Sequence, residues 1–296
     1  MIQQHETDPQ TTPRLSAGAN VSLANILVAT DFSETSERAL EHALSLARTY
    51  RSRIFLAHVI PVDLIMAPEL AEASREKMRR AAHQEMERIQ GSGRFLGVSH
   101  EESIEEGYLW PNIEGLIKKH GIDLVVIGTH GKGFVQKLLI GSSGEEIFRQ
   151  ARIPVLTVGP AVWREPLYGV ELKNILFATA FGLGAERQAA YAFSLAQEHH
   201  SRLTLLHVEQ QAGEERAMIN QLQELVPAGV EFHCLPLFRI EQGGPVNEIL
   251  RVAGEIQANL IVIGAKSRKS LAGHVPYTKA YQVVCGATCP VLTIKS

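Results

Sequence analysis

The sequence predicts an α/β protein made of two tandem doubly wound parallel-sheet domains, and three observations predict it. Short β-branched runs alternate strictly with helical patterns, the chain repeats itself, and its 296 residues suffice for two ordinary cores. The repeat is direct: "NILVATDFSETSERALEHALSLARTYRSRIFLAHV" from Asn25 matches "NILFATAFGLGAERQAAYAFSLAQEHHSRLTLLHV" from Asn174 without a gap, at an offset of 149. Further on, "IDLVVIG" meets "ANLIVIG" and "ARIPVLTV" meets "ATCPVLTI" at an offset of 136, so the first half carries 13 additional residues between Val59 and Gly107. The expected boundaries are a flexible tail over 1–21, a first domain over 22–160, a linker over 161–170 and a second domain over 171–296.

Each element follows from its pattern. "NILVAT" is a strand, and "SETSERALEHALSLARTY" puts Ala39, Leu40, Ala43, Leu44, Leu46 and Ala47 on one helical stripe, with Ser33 placed to cap it. "RIFLAHVI" is the next strand, and the charged stretch from Pro68 to Gln90 reads as a long helix beside the additional residues. A strand near "GVSHEES", a helix from about Pro111 to His120, the apolar strand "IDLVVIG", a helix opening near Ser142 and the strand "PVLTV" complete the half. Such alternation implies parallel strands with right-handed crossovers, and ligands in such sheets sit at the carboxyl ends of strands. "PVLTV" and its counterpart "PVLTI" fall at the sheet edges, where unpaired amides invite another strand, so Val155 to Val158 is expected to meet Val291 to Ile294 within one chain.

The totals argue against several classes. A formal charge of -3 without basic runs interleaved with aromatics is against nucleic acid. No apolar stretch reaches the roughly 18 residues of a membrane span, and the polar leader lacks a signal-peptide pattern, so a cytoplasmic protein is expected. Cys234, Cys285 and Cys289 all lie in the second half, which is against a disulfide framework. Cys285 and Cys289 are spaced to share a helix face, and read as small buried side chains more readily than as metal ligands.

The segment "GTHGKGFVQKLLIGSS", Gly128 to Ser143, follows the apolar strand directly. Gly128 and Gly131 are suited to positive φ and to close approach of a ligand, and Gly141, Ser142 and Ser143 open a helix whose first amides and dipole favour an anion. It is neither a P-loop nor the dinucleotide fingerprint. Taken singly, each glycine is equally a turn residue, Asp31 a helix cap, and His130 a solvated loop histidine; His58 and His207 read as strand residues with satisfied hydrogen bonds.

The pattern G-x2-G-x9-G-[ST], with "ATDFS" after the first strand and "PVLTV" closing the domain, resembles the nucleotide-binding branch of the universal stress protein family, and the resemblance covers both halves. It implies a Rossmann-like fold of the adenine nucleotide alpha hydrolase type, with ATP as ligand and Mg²⁺ accompanying it. By the same resemblance Asp31, with main chain at Ala29 and Thr30, would contact the adenosine moiety and the main chain of Val59 the adenine, while Gly128, His130, Gly131, Gly141, Ser142 and Ser143 would hold ribose and phosphates. Lys132 adds a counter-charge. In the second half Asp31 becomes Ala180, Gly131 becomes Ser267, Gly141 becomes Tyr277 and Ser142 becomes Thr278, so that half is expected to have lost the site. The expectation is a stress sensor or regulatory module with one nucleotide per chain, unidentified protein partners, an intramolecular pseudo-dimer and room for a homodimer. A slow ATPase or phosphoryl transferase, and a nucleotide-independent scaffold using the long charged helix, are the alternatives.

Overall fold

The computed structural model describes residues 21–61, 68–129, 141–162, 171–210, 213–227, 233–265 and 278–295. The first half runs β1 (Asn25–Ala29), α1 (Glu34–Tyr50), β2 (Arg53–Ile60), α2 (Pro68–Gly91), β3 (His100–Glu106), α3 (Leu109–His120), β4 (Leu124–Gly128), α4 (Ser142–Gln150) and β5 (Val155–Val158). The second runs β6 (Asn174–Thr179), α5 (Ala185–Glu198), β7 (Arg202–Glu209), α6 (Glu215–Glu224), β8 (Leu237–Gln242), α7 (Pro245–Glu255), β9 (Leu260–Ala265), α8 (Lys279–Gly286) and β10 (Val291–Lys295). The predicted elements are present, and the additional residues of the first half lengthen α2, which has 24 residues against 10 in α6.

Among the described residues, ten strands form one sheet in the order β3-β2-β1-β4-β5-β10-β9-β6-β7-β8. Every pairing is parallel except the central one, where β5 and β10 run antiparallel with Leu156 opposite Leu292 and Val155 opposite Thr293. The expected edge-to-edge pairing within one chain is therefore how the halves join. The outer strands β3 and β8 carry charge instead: Arg79 pairs with Glu106 at 2.7 Å, and Arg251 with Glu241 at 2.6 Å. Charged, ion-paired edges discourage further strand addition.

Alternation along the strands builds two cores, one on each face. Ile26 and Val28 of β1 point to the face covered by α1, α2, α5 and α6, where Leu40, Met86, Phe193 and Leu222 are buried. Leu27 points to the other face, covered by α3, α4, α7 and α8 through Ile113, Ile147, Val252 and Val283. Both cores continue across the β5–β10 seam, so the halves share their hydrophobic interior. Between α1 and α5 the seam leaves an apolar cavity of about 30 Å³, lined by repeat-equivalent pairs that include His42 with Tyr191 and Leu46 with Leu195. At the ends of these helices, the ring of Tyr50 meets that of its counterpart His199, the residue after α5, at 5.8 Å.

Two expectations are corrected or fall outside view. Cys285 lies in α8, but the helix ends at Gly286, so Cys289 is not on its face. Cys289 sits buried in the bend that precedes β10, and burial pushes its thiol up to about 12. The expected flexible tail lies outside the described residues over 1–20; its last residue, Val21, is buried and donates its N–H to Ser194 Oγ of α5 at 2.7 Å.

Candidate functional site

The site begins where β1 stops. After Ala29 the chain turns through Phe32, which takes a left-handed φ of 59°. That turn is held from inside: the Phe32 N–H donates to the buried Thr30 Oγ1 at 3.0 Å, and Thr30 Oγ1 lies 3.1 Å from Ser36 Oγ. His58 on the neighbouring strand donates from Nδ1 to the Thr30 carbonyl at 2.8 Å, and its ring packs on Phe32 at 4.5 Å. The second half repeats the device, with Phe181 at φ 55°, His207 Nδ1 2.9 Å from the Thr179 carbonyl, and rings 4.4 Å apart. The strand-residue reading of His58 and His207 is correct, and the Thr-x-Phe turn is a scaffold common to both halves. Its signal in the sequence is the pairing of "ATDF" with "ATAF".

What differs between the turns is the residue in the middle. Asp31 is exposed, and its Oδ1 accepts the Ser33 N–H at 3.0 Å. Ser33, as expected, is the helix cap, accepting from the Ser36 N–H at 3.2 Å. Asp31 thus braces the turn and stands at the carboxyl end of the sheet, where the second half has only the methyl of Ala180.

Gly128 does not have the expected positive φ. Its reason for being glycine is close packing: a Cβ there would lie 2.7 Å from Ser36 N and from the Thr35 carbonyl carbon, in the first turn of α1. Gly264, its counterpart, faces the side chain of Gln188 instead, where the first half has Ala39. Beyond Gly128, the buried Thr129 donates its N–H to the Val158 carbonyl at 3.0 Å, and its own carbonyl accepts the Gly141 N–H. The two ends of the glycine segment are therefore clamped together. His130, Gly131 and Lys132 lie outside the described residues, as do Ser267 and Tyr277 of the second half.

The helices that follow these segments begin differently. Gly141 caps α4 with φ -55° and ψ 154° and contributes no side-chain hydrogen bond, and Ser142 and Ser143 are exposed in the first turn. The first amides of such a helix have no intrahelical partner, and they carry the positive end of its dipole. In the second half Thr278 caps α8 by itself, its Oγ1 accepting the Tyr281 N–H at 3.2 Å. Among the described residues no side chain caps the first of these helix ends, whereas the second supplies its own cap. The sequence reading aligned Ser142 with Thr278 but missed this self-capping, which depends on α8 starting one residue later.

The rim around α4 is assembled from adjacent strands. Ala29 on β1 is beside Ala57 on β2 and Ile127 on β4, so Asp31, Val59 and Gly128 share one edge of the sheet. Ala29, Val59, Leu109 and Trp110 are half-buried there against the core on the α3 and α4 side. The result is an apolar shelf beside an uncapped helix N-terminus, with a carboxylate on the third side. Among the described residues, no group of three His, Cys, Asp or Glu side chains is placed to hold a metal ion.

Comparison with known proteins places the fold within one family. The universal stress protein family matches the chain twice, over residues 23–159 and 171–295. A universal stress protein of Mycolicibacterium smegmatis is 24% identical over 296 residues, covering 91% of this chain and 96% of the relative. Universal stress protein MJ0577 of Methanocaldococcus jannaschii is 27% identical over 156 residues, covering 47% of this chain and 96% of its own. The crystal structure of a universal stress protein from Archaeoglobus fulgidus superposes with a TM-score of 0.66 at 22% identity, covering 92% of this chain and 98% of that one, a likeness of fold.

Proposed function

Because the chain belongs to the universal stress protein family, we propose that it is a stress-response module that binds one adenine nucleotide, ATP, in its first half. The observation that carries the reading is the difference between the two helix ends: α4 has no side-chain cap, whereas Thr278 caps α8. An anion is the natural partner of an uncapped, clamped N-terminus, and Ser142 and Ser143 add hydroxyl donors beside its amides. The shelf of Ala29 and Val59 offers apolar contact to a base, and the exposed Asp31 a hydrogen-bond acceptor to the sugar or base edge. Mg²⁺ would enter with the triphosphate, supplying charge neutralisation at the phosphates. Gly131 and Lys132, on the loop between Thr129 and Gly141, would complete the phosphate cradle.

Calorimetric titration with Mg²⁺ and ATP tests this. One nucleotide per chain is expected. Gly141→Asp, which gives α4 a cap of its own and sets a carboxylate against the phosphates, should lower affinity at least about 30-fold while leaving the melting temperature unchanged or raised. Asp31→Ala should weaken binding about tenfold. No binding at millimolar ATP, or full affinity in Gly141→Asp, would overturn the assignment.

A further inference from the structure

We infer that Tyr108 stacks on the base of the bound nucleotide and sets the preference for a purine; the inference rests on the nucleotide reading of the first half. At the end of β3, Gly107 takes φ +127° and donates its N–H to the Ile60 carbonyl of β2 at 3.0 Å, turning the chain over the end of that strand. Tyr108 follows immediately as the N-cap residue of α3. Its main chain is fixed, with the carbonyl accepting from Asn112 Nδ2 at 2.9 Å, while 63% of the residue is exposed.

Tyrosine is a poor choice for that position on local grounds. Caps favour Ser, Thr, Asp, Asn or Gly, and Tyr108 makes no side-chain cap bond. The second half has Gly244 at the equivalent place, a residue suited to it, and Val246 where the first half has Trp110. The aromatic is thus present only in the half whose phosphate-facing helix lacks a cap of its own. The turn that carries it lies at the end of β2 beside the shelf, since Gly107 bonds Ile60, the residue after Val59, and Leu109 and Trp110 follow Tyr108 into the same core. β2, over whose end Gly107 turns, is two strands from β4 at about 4.8 Å per step, so the ends of these strands are roughly 10 Å apart along the sheet edge, a span that a nucleoside polyphosphate covers. An exposed phenol on an anchored main chain at the end of these strands is suited to stacking on a base.

The test compares wild type, Tyr108→Phe and Tyr108→Ala in titrations with ATP, UTP and inorganic tripolyphosphate. Tyr108→Ala is expected to bind ATP about tenfold more weakly, with a smaller loss for UTP and none for tripolyphosphate. Tyr108→Phe should retain the ATP affinity. Equal ATP affinity in wild type and Tyr108→Ala, or an equal loss for tripolyphosphate, would overturn the stacking role while leaving the nucleotide site standing. Failure of wild type to bind ATP at all would overturn both.

Discussion

Gly128→Ala is expected to destabilise the protein by about 3 kcal/mol, and Gly264→Ala by only about 1 kcal/mol, although the two glycines end equivalent strands. At Gly128 the added methyl would stand 2.7 Å from backbone atoms of Thr35 and Ser36. Those atoms belong to the first turn of α1, held by the Ser33 cap and the Thr30–Ser36 contact, so the turn cannot yield without losing bonds. At Gly264 the obstacle is the end of the Gln188 side chain, which has torsions to spare. Urea denaturation of both variants measures the difference. The same substitution at Gly128 should also weaken ATP binding, because it pushes the Asp31 turn and the Thr129 clamp apart. Equal destabilisation by the two variants would show that β4 and α1 do not meet as closely as described.

Acid should loosen the seam between the halves. Burial pushes His42 down to about 4 from an ordinary 6.5. Between those values the unfolded chain takes up a proton that the folded chain refuses, so stability is intact above pH 6.5 and falls with pH until about pH 4. The loss attributable to this one group is about 3 kcal/mol. His199, across the same seam, is shifted down by burial too and adds to the slope. Replacing His42 by Phe keeps a ring in the same space and removes the proton site. The difference between wild-type and His42→Phe unfolding free energies should therefore change by about 3 kcal/mol between pH 7 and pH 4. Parallel curves would mean that His42 titrates normally in the folded protein.

Much of this architecture was legible because the repeat supplied two readings of each element. The helix capped by Ser33, the long α2 and the β5–β10 pairing all follow from period, cap chemistry and edge exposure, which are local or nearly local properties. The candidate site was legible as a spacing of glycines, but not in the reasons for them. Gly128 has the residue type expected of a ligand contact, yet its contact with α1 depends on a crossing between elements distant in sequence. Thr278 looked like a decayed Ser142, and only the starting point of α8 reveals that it closes its own helix. The spacing of Cys285 and Cys289 suggested one helix face, although Gly286 and Pro290 are stop signals, and the helix ends at Gly286. Tyr108 gave no signal, since a lone tyrosine before a helical stretch is unremarkable until the turn at Gly107 is known.

The reversal of strand direction between β5 and β10 has a spatial outcome. Five strands finish at one rim of the sheet and five at the opposite rim, so the two crevices open away from each other like the mouths of a double-ended flask. The two mouths are joined through the middle strands and the packed helices beside them.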